Sequence, residues 1–186
     1  MSALTIYKDD QPGSGELFTD FDTIQQHLSA IGVQFERWAA NCELPANADQ
    51  QAVIEAYRAS IDNLNRQHDF KSVDVVSLQP DHTDKRAFRE KFLAEHIHTD
   101  FEVRFFIDGR GLFYLHTDGK VYAILCEKGD LISVPANTSH WFDMGENPSF
   151  KCIRLFTIEE GWVAEFTGND IAKSFPSLDQ YVAELP

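Results

Sequence analysis

Cysteine, positive charge and long apolar runs are all in short supply in this chain, and each shortage excludes something. Cys42, Cys126 and Cys152 are the only three cysteines in 186 residues, widely scattered and without a C-x-x-C pair. An odd, dispersed set of thiols is best explained as reduced cysteines in a cytoplasmic protein, with Cys126 and Cys152 in apolar strands as core residues. Lys and Arg total 16 against 30 Asp and Glu, a formal net charge of −14. That balance argues against nucleic acid or an acidic membrane surface as partner, because phosphate binding needs a basic patch. No apolar run is long enough to span a bilayer, and Met1 to Asp10 holds no basic region followed by an apolar stretch, so neither a membrane span nor a signal peptide is expected. A strongly negative surface without an exposed apolar helix points to a monomer.

Apolar filling is plentiful. Residues of hydrophobic type make up 43% of the chain and include 15 phenylalanines, so one domain spanning 1–186 can bury a core without staples. Residues 3–8 read as a strand and Asp9 to Gly15 as a turn. Helical spacing of Phe21, Ile24, Leu28 and Ile31 predicts a helix from Asp20 to about Ile31. A second helix is expected over 49–67, with Val53, Ile54, Tyr57, Ile61 and Leu64 as its buried stripe. A strand at 73–78 and a short helix at 85–93, with Phe88 and Phe92 on one side, complete the first 94 residues. From Glu95 the pattern changes to short strands near 96–107, 111–117, 120–127, 130–135, 139–143 and 150–158. Asp108-Gly109 and Asp118-Gly119 are expected as hairpin turns between them. The tail is expected to add a strand at 163–166 and a loose helical turn. Many short antiparallel strands of this kind suggest a double-sheet jelly roll, mainly β with flanking helices.

The chemistry concentrates in His96-Ile-His98-Thr-Asp-Phe-Glu102-Val-Arg104. Side chains alternate along a strand, so 96, 98, 102 and 104 share one face if the segment stays extended, while Phe101, Val103, Phe105 and Ile107 fill a core on the other. Two imidazoles and a carboxylate on one side form a site for a divalent transition metal. A purely structural account would leave inward polar groups unpaired, at roughly 1–3 kcal/mol each. His140, in the turn-strand-proline sequence from Gly129 to Phe142, is a fourth candidate ligand on a returning strand. His27, His68, His82 and His116 lie outside this set and read as surface or capping residues.

His96, His98, Glu102 and Gly109 resemble the first cupin motif, and Gly129, Pro135 and His140 the second. Three positions depart from the pattern: Glu90 replaces the opening glycine, Asn137 a later glycine, and Met144 the final asparagine. Lys91 to Phe106, Leu131 to Gly145, Ile153 to Phe156, Glu160-Gly-Trp162 and Phe166-Thr-Gly168 resemble the acireductone dioxygenases of methionine salvage more specifically. The resemblance implies a cupin-type double-stranded β-helix, with about 1–94 packing on a barrel core of about 95–167. It also implies one Fe2+ or Ni2+ per chain. The implied reaction joins 1,2-dihydroxy-3-keto-5-methylthiopentene to O2. With iron it gives 2-keto-4-methylthiobutyrate and formate, and with nickel methylthiopropionate, formate and carbon monoxide.

Three imidazoles and one carboxylate leave two positions free on a six-coordinate ion, which suits a bidentate enediolate. Arg104 on the ligand face is a candidate to hold the substrate oxyanion, the alternative being an ion pair with Asp100 or Glu102. Arg154 is expected to face inward in the same way. The resemblance places Phe92, Phe142 and Trp162 around the methylthio tail, although each could equally be core. Glu95 is a candidate acceptor for a ligand histidine N–H. Two other readings stay open: another metallo-cupin dioxygenase, and a catalytically silent cupin that binds a small acid.

Overall fold

The computed structural model describes residues 1–45 and 47–186. In chain order its elements are β1 (Ala3–Lys8), β2 (Gln11–Phe18), α1 (Phe21–Ser29), β3 (Gln34–Arg37), α2 (Gln50–Ala56), α3 (Arg58–Gln67), β4 (Ser72–Leu78) and α4 (Lys85–Leu93). There follow β5 (His96–Ile97), β6 (Glu102–Thr117), β7 (Lys120–Glu127), β8 (Asp130–Val134), β9 (Ser139–Asp143), β10 (Phe150–Phe156), β11 (Glu165–Phe166), a 3-10 turn at Ile171–Ser174, and α5 (Leu178–Glu184).

One strand belongs to both sheets. Residues 110–117 of β6 pair with β7 and β9, in a sheet ordered β11-β5-β9-β6-β7-β1-β2. Its first half pairs with β8 and β10, and β3 and β4 extend that second sheet. The expected hairpin at Asp108-Gly109 is therefore not a turn; the strand continues through it and changes sheets there. Gly109 has φ +65, and a Cβ on it would lie 1.9 Å from the Ser149 carbonyl oxygen. Only glycine fits so close an approach in a left-handed conformation, so the residue bends a strand where Asp-Gly suggests a hairpin. Asp118 and Gly119, with φ +53 and +69, do make the expected β6–β7 turn.

The two sheets face each other across one core. Leu4, Phe113, Ile124 and Phe142 of the first meet Phe35, Phe106, Ile132 and Phe150 of the second, all at most 1% exposed. Cys126 and Cys152 are fully buried there as expected. Burial raises both thiols, Cys152 to about 11, so neither ionises near neutrality. On the outer face of the second sheet, α2 and α3 bury Val53, Tyr57, Ile61 and Leu64 against Val103, Phe105, Ile107, Leu131 and Ile153. Each such side chain contributes at most about 1.5–3 kcal/mol. The architecture is the mainly β, jelly-roll arrangement with flanking helices that the strand pattern suggested.

Several local expectations change. The single helix over 49–67 is two, because Tyr57 leaves helical geometry (φ −103, ψ 15) and sets its ring edge-on to Phe105 at 5.6 Å. Residues 11–15 form part of β2, leaving only Asp9 and Asp10 as a turn. Pro12 is tolerated because β2 ends the sheet, and Gly15 lies so close to β1 that a Cβ would sit 2.4 Å from the Thr5 side chain. Strand β3 lies in a stretch where no strand was expected. With β1 and β4 it makes the first 94 residues suppliers of strands to both sheets.

Candidate metal centre

Strand β5 brings His96 opposite His140 on β9, and the chain then leaves strand geometry over residues 98–101 before β6 begins. The continuous strand expected at 96–107 is broken because Asp100 turns inward. Its buried carboxylate accepts from the backbone N–H of Phe101, Thr157 and Ile158 and from the Thr157 hydroxyl. Despite the break, the side chains converge. One ligand atom from each of His96, His98 and His140 lies within 4.8 Å of the others, and the residues are 3%, 4% and 2% exposed.

Each imidazole is oriented through Nδ1 by a backbone carbonyl. His96 donates to Ala94 at 2.7 Å, His98 to Val163 at 3.0 Å and His140 to Thr138 at 2.7 Å. With the proton on Nδ1, each Nε2 presents a lone pair to the interior. The turn before His140 uses Asn137 at φ +61, and its N–H binds the His98 carbonyl at 2.8 Å. Asparagine tolerates the left-handed region that the motif's glycine would occupy, so that departure preserves the turn. Met144, at a second departure, is 1% exposed core.

Glu102 is 1% exposed and placed between the histidines. Its Oε1 accepts from Arg104 Nε at 2.5 Å, while Oε2 stands 3.5 Å from His98 Nε2 and 3.6 Å from His140 Nε2. Among the described residues, Glu102 Oε2 and His140 Nε2 are buried side-chain atoms with no hydrogen-bond partner. Lone pairs that face one another in a dry interior repel and cost free energy unless a cation joins them. This donor set, three imidazole nitrogens and one carboxylate oxygen, fits a divalent transition metal.

Protonation favours the same occupant. Burial pushes His96 down to about 3, helped by the nearby His140, and burial also lowers His98. For Glu102 burial acts upward, but the Arg104 guanidinium and the neighbouring imidazoles hold it well below the usual carboxylate range. At neutral pH His96 and His98 are neutral and Glu102 is ionised, which are their ligand forms.

For Arg104 the ion-pair expectation is the one the geometry shows. It pairs with Glu102, not Asp100, yet it also lines a cavity of about 470 Å3 shared with His96, His98, Arg154, Phe92 and Trp162. Its guanidinium lies 4.7 Å from the Phe113 ring centre, 4.9 Å from Phe142 and 5.8 Å from Phe92, and its Nη1 has no partner. Arg154 also reaches the cavity, held there by two bonds to Asp74 at 2.9 and 2.6 Å. Trp162 is 48% exposed at the cavity wall. Phe142, by contrast, is fully buried behind Arg104 and packs on Phe113 and Phe150. A larger groove of about 610 Å3, beside α1 and β3, holds no imidazole or cation.

Glu95 does not accept from a ligand histidine. It binds His116 Nδ1 at 2.8 Å and the Thr167 hydroxyl at 2.5 Å, because the backbone carbonyls already serve the ligand rings. His116, read from sequence as a surface group, is thus part of an internal bond. Residue patterns also passed over Lys91, His82 and Asp74 on the cavity wall. The signal for Lys91 was present: Phe88, Lys91 and Phe92 share one helical face.

A double-stranded β-helix with three inward histidines and a carboxylate defines a metal-binding cupin. Comparison with known proteins narrows the class. The ARD/ARD' family matches residues 3–164, and the chain belongs to that family. Acireductone dioxygenase of Methylococcus capsulatus is 53% identical over 182 residues, 98% of each chain. That of Aquifex aeolicus is 54% identical over 185 residues, 98% of this chain and 99% of its own. Among solved structures, acireductone dioxygenase from Bacillus anthracis, with a cadmium ion in its active center, superposes with a TM-score of 0.78 at 27% identity. That match covers 89% of this chain and 98% of the other.

Proposed function

We propose that the chain is an acireductone dioxygenase that holds one Fe2+ or Ni2+ through His96, His98, His140 and Glu102. The observation that carries the ligand assignment is the buried, donor-free meeting of Glu102 Oε2 with the imidazoles. Membership of the family supports the reaction, cleavage of 1,2-dihydroxy-3-keto-5-methylthiopentene by O2. A bound divalent ion supplies Lewis acidity toward two oxygens of the enediolate.

The chain's own groups do the rest. Arg104 keeps the substrate in its anionic form, since Nη1 still has a hydrogen to donate after Nε binds Glu102. Arg154, braced by Asp74, offers a second cation on the opposite strand of the β6–β10 ladder, where Arg154 pairs with Arg104 in register. Phe92 and Trp162 form the apolar wall suited to the methylthio tail and exclude water there. Phe142 contributes from behind, by fixing the Arg104 guanidinium.

The sheet strands supplied by both halves of the chain support reading 1–186 as one cupin domain. Among the described residues no helix is long and apolar enough to cross a membrane. With a net charge of −14, a monomeric cytoplasmic enzyme that binds neither nucleic acid nor membrane is the consistent reading. The test is metal-stripped protein reloaded separately with iron and nickel and supplied with chemically generated acireductone. Oxygen uptake is expected with both, giving the keto acid and formate with iron, and methylthiopropionate, formate and carbon monoxide with nickel. Identical products would refute metal-dependent cleavage. Inactivity with both would leave a silent cupin that binds a small acid.

A further inference from the structure

We infer that Lys91 is the residue that draws the anionic substrate into the cavity. The inference rests on the anionic enediolate proposed above. A protein of net charge −14 repels such a substrate at long range, so the approach to the site needs a local reversal of sign.

The cavity wall supplies one. Three cations line it, Arg104, Arg154 and Lys91. Arg104 is neutralised by Glu102 and Arg154 by Asp74, each in a close pair. Lys91 is matched by no carboxylate: among the described residues it makes no ion pair or hydrogen bond. The wall therefore carries one net positive charge before any ion binds, and Lys91 is its source. Position suits the role, because Lys91 is solvent-exposed on α4 while its neighbours on the same helical face, Phe88 and Phe92, also line the cavity. The adjacent acid, Glu90, turns to grooves on other sides of the helix and does not offset it. Exposure matters too. An ammonium in water keeps its hydration and acts over about 8–10 Å at moderate salt, so it can pull a substrate without binding it tightly.

Two measurements on Lys91→Glu and Lys91→Met test this. In the metal-loaded enzyme, charge reversal is expected to lower kcat/KM for acireductone about tenfold at low ionic strength, with kcat changed less than about twofold. The gap from wild type should close as salt rises toward roughly 0.5 M, where screening shortens to a few ångströms. A loss equal at every salt concentration, or confined to kcat, would overturn the inference in favour of packing or chemistry. The second measurement needs no turnover. Trp162 is the exposed tryptophan of this cavity, Trp141 is 1% exposed, and the half-buried Trp38, which packs on Phe105 away from the cavity, is replaced by phenylalanine in every protein compared. Quenching of Trp162 fluorescence by iodide, an anion, should weaken in Lys91→Glu, while quenching by neutral acrylamide stays as in wild type. Iodide quenching unchanged, or altered in parallel with acrylamide, sinks the inference. A wild-type protein that leaves acireductone untouched sinks the proposed function instead, and the iodide comparison still decides the role of Lys91.

Discussion

Two buried carboxylates, Glu102 and Asp143, are each held by an arginine, and they differ in what remains unfinished. Asp143 Oδ1 accepts from Arg89 Nε at 2.8 Å and Gly145 N–H at 2.9 Å. Its Oδ2 accepts from Arg89 Nη2 at 3.0 Å and Leu178 N–H at 2.7 Å. Every oxygen is occupied twice, and the residue ties β9, α4 and the start of α5 together. Glu102 uses one oxygen on Arg104 and leaves the other facing lone pairs. A folded protein satisfies its buried polar groups, so the saturated pair reads as a joint and the unsaturated one as a seat for something absent from the polypeptide. The two sites adjoin on β9, since Asp143 lies three residues beyond His140, whose imidazole faces Glu102.

The sharpest way to break this comparison is to remove a histidine from the unsaturated side. His140→Ala is expected to lose most of its metal and nearly all oxygen uptake, more than the roughly 10–100-fold that changes behind a ligand cost. Full metal content by elemental analysis in that variant would overturn the ligand assignment. Arg104→Ala should keep its metal and still lose activity roughly 10²–10³-fold, as expected for a group that stabilises developing charge. Normal turnover there would reduce Arg104 to the partner of Glu102.

On the saturated side the effect moves from activity to stability. Asp143→Asn replaces an acceptor with an amide that confronts N–H donors and leaves Arg89 half-paired. A loss of about 3 kcal/mol is expected, which for a domain of this size lowers Tm by roughly 10 °C. Metal content per folded chain should not change. A variant with wild-type Tm and depleted metal would reverse the roles assigned to the two carboxylates.

How much of this was readable in the chain follows from the range of the interactions. The histidines, Glu102 and Arg104 fall within nine residues and one later strand, so their spacing and the cupin-like motifs exposed them. The inward phase of Arg104 and the outward phase of Val103, Phe105 and Ile107 also survive, because a strand's alternation is local. Glu95 could not be placed that way. Whether it serves His96 or His116 depends on the β6 register and on Thr167, a residue 72 positions away. The sheet change at Gly109 was hidden for a similar reason: Asp-Gly favours a hairpin locally, and only the Ser149 backbone across the sheet explains the glycine. Lys91 stood on a helical face already read as apolar, where a lone cation is easily assigned to solvent.

The smallest expected effect concerns acid, and it probes the unsaturated side without altering Glu102. In metal-stripped protein His96 titrates at about 3, against an ordinary value of 6.5. Between those two values the unfolded chain binds more protons than the folded one, so stability falls as pH falls through that window and is fully retained above it. At pH 5 the cost is about 2 kcal/mol from this residue. Glu102, also held low, adds its own loss only below the ordinary carboxylate value of 4.5. Denaturant unfolding of metal-stripped wild type and His96→Gln between pH 7.5 and 5 isolates His96, because the loss from Glu102 lies below that span and the loss from the lowered His98 is common to both proteins. The wild type should lose about 2 kcal/mol more than the variant over that span. Parallel curves would mean that His96 is readily protonated in the folded protein, and that the interior around the unsaturated carboxylate is wetter than its burial indicates.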